Sequence, residues 1–309
     1  MRKQTNKERR EETLEQVGIL LEQNDTDALL LTSTQMMCQI IEKFVGRICN
    51  DIQYTNFSVD IIMRCVAQKT YETLLAIVEL AKLDKGYSAM PLLRPMCEEL
   101  IFISFIKTPA ENLMIQYMQD KVILEILQGF KAQNEFFPRA AQLLSLEDYS
   151  QPEPERRTMD ELESRILDQK NKLKELGKKI GWGNRPAPTV KYMAEATNNL
   201  MVYDFFYHAS SSAVHASLHH LGRMVWGNPS TGVFSITNKH FKQYYHRFVL
   251  TYGSWLASQV VSIVQAQFPD DWPKEEKDSW SILLALFIVP AIHHQAPKII
   301  TKEELRWSK

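Results

Sequence analysis

Glycine is scarce in this chain, 11 of 309 residues, and the glycine-built signatures GxxxxGK[ST], GxGxxG and GxSxG are all missing. That argues against a phosphate-cradling loop and against the strained turn that exposes a nucleophilic serine. Cysteine is scarcer still. Cys38, Cys49, Cys65 and Cys97 form no CxxC pair and sit in apolar, helix-like stretches, so they read as buried core thiols in a reducing compartment. Neither sign of charge dominates: 36 Lys and Arg stand against 37 Asp and Glu. No global field gathers nucleic acid or an anionic membrane, and only a local basic patch is left open. No long apolar run exists either. The longest, Leu283 to Ile292, is interrupted by Pro290 and falls well short of the about 20 residues that span a bilayer. Met1 to Glu12 is densely charged with no apolar signal core, so the expected location is the cytoplasm, without membrane attachment.

What is present is helical periodicity. Met37, Ile40, Ile41, Phe44, Val45 and Ile48 recur at threes and fours, with Glu42, Lys43 and Arg47 on other faces. Leu74 to Ala81 repeats the pattern, and Gly86 is expected to end that helix. Further helices are predicted over Leu92 to Lys107 and from Ala110 through Phe130. Phe241, Tyr245, Phe248, Tyr252 and Trp255 form an aromatic stripe, which reads as core or dimer seam rather than a base-stacking platform. Val233 to Ile236 is the one strand-like stretch. The predicted fold is all-α, a large multi-helix bundle forming a single domain over residues 1–309. N-terminal helices occupy 1–55, a core 58–268, and a C-terminal helix and tail 276–309. Two stretches break the pattern, Ser150 to Arg157 (an exposed linker over 150–157) and Pro269 to Lys277. The first leads into a charged, insertion-like helix over Met159 to Lys179.

Two stretches carry candidate chemistry. In Tyr203 to His220, the residues Tyr203, Tyr207, Ser211 and His215 fall four apart. Each such step turns about 40° around a helix, so the four make one winding polar ridge. Ser211 and His215 would then be surface neighbours, able to act as nucleophile and base or simply to hydrogen-bond across a partly polar core. His215, His219 and His220 lack the glutamate and downstream ligand of a HExxH-type site, so no metal or other cofactor is expected. In Pro91 to Glu99, Arg94 and Glu98 lie four apart among apolar residues, and Pro95 should start or kink the helix there. The pair reads either as a helix-face ion pair or as an anion contact held by its carboxylate.

These stretches together resemble a bacterial family of helical proteins of unknown function, the family numbered five-six-seven-seven. The resemblance rests on Arg94-Pro95-x-x-Glu98, a turn at Trp182, a short helix at Met193-Ala194-Glu195, and Tyr203-x3-Tyr207-x3-Ser211-x3-His215. It covers roughly residues 60 to 265 and marks Arg94, Glu98, Tyr207, Ser211 and His215 as the site, without implying a reaction. Such families are compared with the prokaryotic HEPN ribonucleases of defence systems, which carry Arg followed four to six residues later by His. No Arg in this chain has a His at that spacing. Two expectations follow. One is an interaction, scaffold or sensor protein, a homodimer or a subunit that binds another protein, in which the polar ridge fixes helix register. The other is a metal-independent ribonuclease with His215 as acid or base and Arg94 on the phosphate.

Overall fold

The computed structural model describes residues 26–50, 57–145, 158–215, 217–228, 230–285 and 296–301. The charged N-terminus, the 150–157 linker, Pro290, the histidines at 293 and 294, and most of the apolar run before them lie outside these residues. The fold is all-α, relieved by one small hairpin. Its helices are α1 (Thr26–Cys49), α2 (Val59–Lys82), α3 (Gly86–Ala89), α4 (Leu93–Phe105), α5 (Glu111–Leu143) and α6 (Met159–Ile180). They continue with α7 (Val190–Ala196), α8 (Leu200–Val214), α9 (Leu218–Gly222), α10 (Lys242–Gln267) and α11 (Lys274–Leu283). The expected strand is β2 (Val233–Ile236), and it pairs antiparallel with β1 (Val225–Asn228). No helix among the described residues is long and apolar enough to cross a membrane.

The chain divides into two compact units. The first takes the chain up to Gln53, Asp60–Ile103 and everything from Asn198 onward; the second takes Ser104–Thr197 with Tyr54–Val59. The divisions miss the 150–157 linker because the helices on either side of it pair with each other. Buried Leu162, Ile166, Gln169, Leu173 and Leu176 recur four and three apart along α6, the spacing of a helix–helix seam. Lys131 pairs with Glu163 and Gln169 donates to Asp120, a falling register that makes α5 and α6 antiparallel. The start of α6 is fixed by a capping box, with the Thr158 hydroxyl on the Glu161 amide and the Glu161 carboxylate on the Thr158 amide. Gly181, at φ 117°, closes its other end. Trp182 is buried in the turn that follows, its indole N–H donating to Arg185 O at 3.1 Å.

In the first unit α1 and α3 pack against α10. Phe241, Tyr245, Phe248 and Tyr252 are all buried there and Trp255 is half-buried, so most of the aromatic stripe is core. The Thr34 and Ser254 hydroxyls bond at 2.9 Å between α1 and α10. Asp27 pairs with Arg247, and Trp272 sits between Phe44 and Trp280 at 4.6 and 5.5 Å.

Gly86 does not end α2. The left-handed residue after that helix is Asp84, at φ 59°, and Gly86 opens α3 against the α10 backbone. A Cβ added there would lie 2.7 Å from His246 N and 2.8 Å from Tyr245 C. The cysteine expectation holds for Cys38 and Cys97, which are buried. Cys65 is exposed and Cys49 intermediate, because Cys65 lies off the packed face of α2 and Cys49 is the last residue of α1.

One buried charge yields a pH prediction. The Glu99 side chain is 12% exposed and pairs with Lys69. Burial pushes its carboxyl above the ordinary value of 4.5, and Lys69 offsets this only in part. An acid whose folded pKa is raised favours the fold below its unfolded pKa and loses that contribution as pH rises through the folded one. Glu99→Gln is therefore expected to raise Tm by roughly 2 °C at pH 8. The gain should vanish below the ordinary carboxylate range, as thermal melts across pH would show.

Candidate functional site

A short 3-10 turn, Met90–Leu92, leads into α4, and Pro95 occupies the first helical turn, where its missing N–H costs nothing. Leu93, Met96, Cys97, Leu100 and Ile101 are buried, which leaves Arg94 and Glu98 together on the other face. Arg94 Nε donates to Glu98 Oε1 at 2.9 Å, with side chains 24% and 37% exposed. The Glu98 hydrogen bond raises the Arg94 pKa further, against a smaller opposing effect of burial, so the guanidinium stays cationic.

Helix α8 presents its own two faces. Phe206, Ala209 and Ser210 are buried, with the Phe206 ring 5.3 Å from Tyr252 and 5.5 Å from Trp255. The Cys97 thiol donates to Val202 O at 3.9 Å and ties α8 to α4. Burial pushes that thiol up to about 12, so it packs rather than reacts. On the outer face the Tyr203 and Tyr207 rings stack at 4.9 Å and 29°. The Arg94 guanidinium lies over Tyr207, 4.7 Å from its centroid.

His215 departs from the expected ridge. α8 ends at Val214, and His215 is its C-cap with extended backbone, φ −101° and ψ 158°. Ser211 lies four residues before it, within α8. Their link is through backbone, His215 N–H to Ser211 O at 3.0 Å, and no hydrogen bond joins the two side chains among the described residues. His215 Nε2 instead lies 3.5 Å from Arg94 Nη1. A guanidinium can only donate, so the contact is a hydrogen bond with Nε2 as its acceptor. The structure thus brings Arg94, Glu98, Tyr207 and His215 together, adds Tyr203, and leaves Ser211 one turn beyond Tyr207. His220 faces elsewhere, buried 6.0 Å from Tyr87 and 6.2 Å from Tyr245. Among the described residues no three His, Cys, Asp or Glu side chains gather as metal ligands would.

Residues 60–232, more than half of the chain, match the profile described as Family of unknown function (DUF5677). The chain belongs to that family. No curated protein and no solved structure matches it. The DUF5677 span holds Arg94, Glu98, Tyr203, Tyr207, Ser211 and His215, so the whole cluster lies inside the region that defines membership. Membership itself carries no reaction.

Proposed function

We propose that this chain is a metal-independent ribonuclease that cleaves RNA at the Arg94–His215 pair. The observation that carries the reading is that these residues, 121 positions apart, meet at 3.5 Å where solvent reaches them. Cleavage of RNA without a metal needs a base for the 2′-hydroxyl and a cation for the charge that grows on phosphorus. His215 Nε2 would take the 2′-hydroxyl proton, and the resulting alkoxide would attack the adjacent phosphorus. Arg94 would exchange its long contact with His215 for the non-bridging oxygens as their charge develops. The bond from phosphorus to the 5′-oxygen breaks, and that oxygen takes a proton from solvent. The products are a 2′,3′-cyclic phosphate and a free 5′-hydroxyl. Glu98 would hold the guanidinium in place, Tyr207 would support it from below, and Ser211 would contact the substrate. The arrangement would parallel the HEPN pattern, with the Arg and the His supplied by separate helices instead of one.

A second reading, a polar network that fixes packing in an interaction or scaffold protein, draws on the mutual satisfaction of Arg94, Glu98 and Tyr207. The exposure of Arg94 and Glu98 weighs against it, since a network that specifies packing is buried. The test is to incubate the purified chain in EDTA with a labelled single-stranded RNA and the DNA of the same sequence. Cleavage of the RNA alone, leaving cyclic phosphate ends, is expected. Cleavage of both strands, or of neither, overturns the proposal.

A further inference from the structure

We infer that Tyr203 and Tyr207 form a stacking platform that selects single-stranded RNA and holds a base beside the phosphate at Arg94. The inference deepens the ribonuclease reading and takes the position of the phosphate from it. Three flat groups lie in series along the outer face of α8: the Tyr203 ring, the Tyr207 ring at 4.9 Å, and the Arg94 guanidinium at 4.7 Å. The series ends at His215. Tyr207 is 36% exposed and Tyr203 half-buried, whereas Phe206 is 3% exposed, so Phe206 and not the tyrosine pair is the helix's contribution to the core.

Every nucleobase offers a flat face, and bases in a duplex have those faces covered by their neighbours. A surface tyrosine ladder therefore takes unpaired bases with little regard to sequence. Neutral rings suit a site next to phosphate, and burial, with the neighbouring Tyr207 and Asp204, raises the Tyr203 pKa and keeps that phenol uncharged. A base stacked on this pair lays the strand along the face that leads to Arg94 and His215. A stripped phosphodiester without a base would lack that anchor, so the platform sets both affinity and strand choice.

The test reads binding apart from cleavage. Fluorescence anisotropy in EDTA measures the Kd of a labelled single-stranded RNA decamer, and of its duplex, for wild type, Tyr203→Leu and Tyr203→Phe, each also in a His215→Ala background. Tyr203→Leu is expected to weaken single-strand binding about tenfold, with Tyr203→Phe close to wild type and the duplex bound weakly by all. Unchanged binding by Tyr203→Leu, or equal affinity for the duplex, overturns the inference. So does loss of binding in Tyr203→Phe, which would assign the effect to the hydroxyl. Absence of RNA binding by wild type overturns the platform and the ribonuclease reading together. Tyr203-dependent binding without cleavage by wild type keeps the platform and removes the ribonuclease.

Discussion

Arg94→Ala is expected to slow RNA cleavage by about 10²–10³-fold, the loss seen when a preorganised partner of transition-state charge is removed. Its cost to the fold should be small. The Arg94–Glu98 pair is one helical turn apart and partly exposed, worth a few tenths of a kcal/mol. Its contact with Tyr207 adds about 0.5–1 kcal/mol. Tm is thus expected to fall by no more than about 4 °C. Arg94→Lys keeps the charge but loses the fork that holds Glu98 through Nε while leaving Nη1 at His215. It should recover only a small part of the lost rate. The scaffold reading predicts the reverse pattern, a large drop in Tm with no separable activity. Initial rates in EDTA and thermal melts on the same preparations distinguish the two.

The largest expected effect on stability belongs to Gly86→Ala. The added methyl would meet backbone atoms of Tyr245 and His246 in α10 at 2.7–3.0 Å. Backbone cannot rotate aside as a side-chain tip can, so α3 must move off α10 and disturb the packing around Tyr245. A loss of about 3 kcal/mol, or roughly 6–10 °C in Tm, is expected. Gly129→Ala is the matched control. That glycine lies in α5 with nothing within 4 Å of the added atom, so alanine should stabilise the chain by up to about 1 kcal/mol. Differential scanning calorimetry of both variants checks the contrast.

The contrast also shows where sequence reasoning reaches. Ile41, Phe44, Val45 and Ile48 are buried as their spacing demands, because a helical period fixes one face whatever it packs against. The aromatic stripe of α10 and the Arg94–Glu98 pair were legible for the same reason. Gly86 was misread because a glycine after a periodic run looks like a helix stop, and only the neighbouring helix reveals that it is a contact point. α5 runs on past Phe130 to Leu143, through Pro138, where its apolar period fades and the sequence alone suggests an earlier end.

The site was half legible. Four of its residues stood out by their four-residue steps, but the lattice was extended one step too far, to His215. No Gly or Pro marks the break; the weak helix formers Ser210, Ser211 and Ser212 are the one hint. Leaving the helix is what carries His215 to Arg94, a pairing across 121 residues that no local pattern encodes. Tyr203 belonged to the ridge in sequence, yet its stacking on Tyr207 beneath a guanidinium is a tertiary fact.

The central claim is that His215 serves as the base at Arg94. Its most direct test is single-turnover cleavage of a 5′-labelled single-stranded RNA in EDTA by wild type and His215→Ala. The account predicts fragments with 2′,3′-cyclic phosphate ends from wild type and a rate at least about 10²-fold lower from the variant. Equal rates from the two proteins would contradict it.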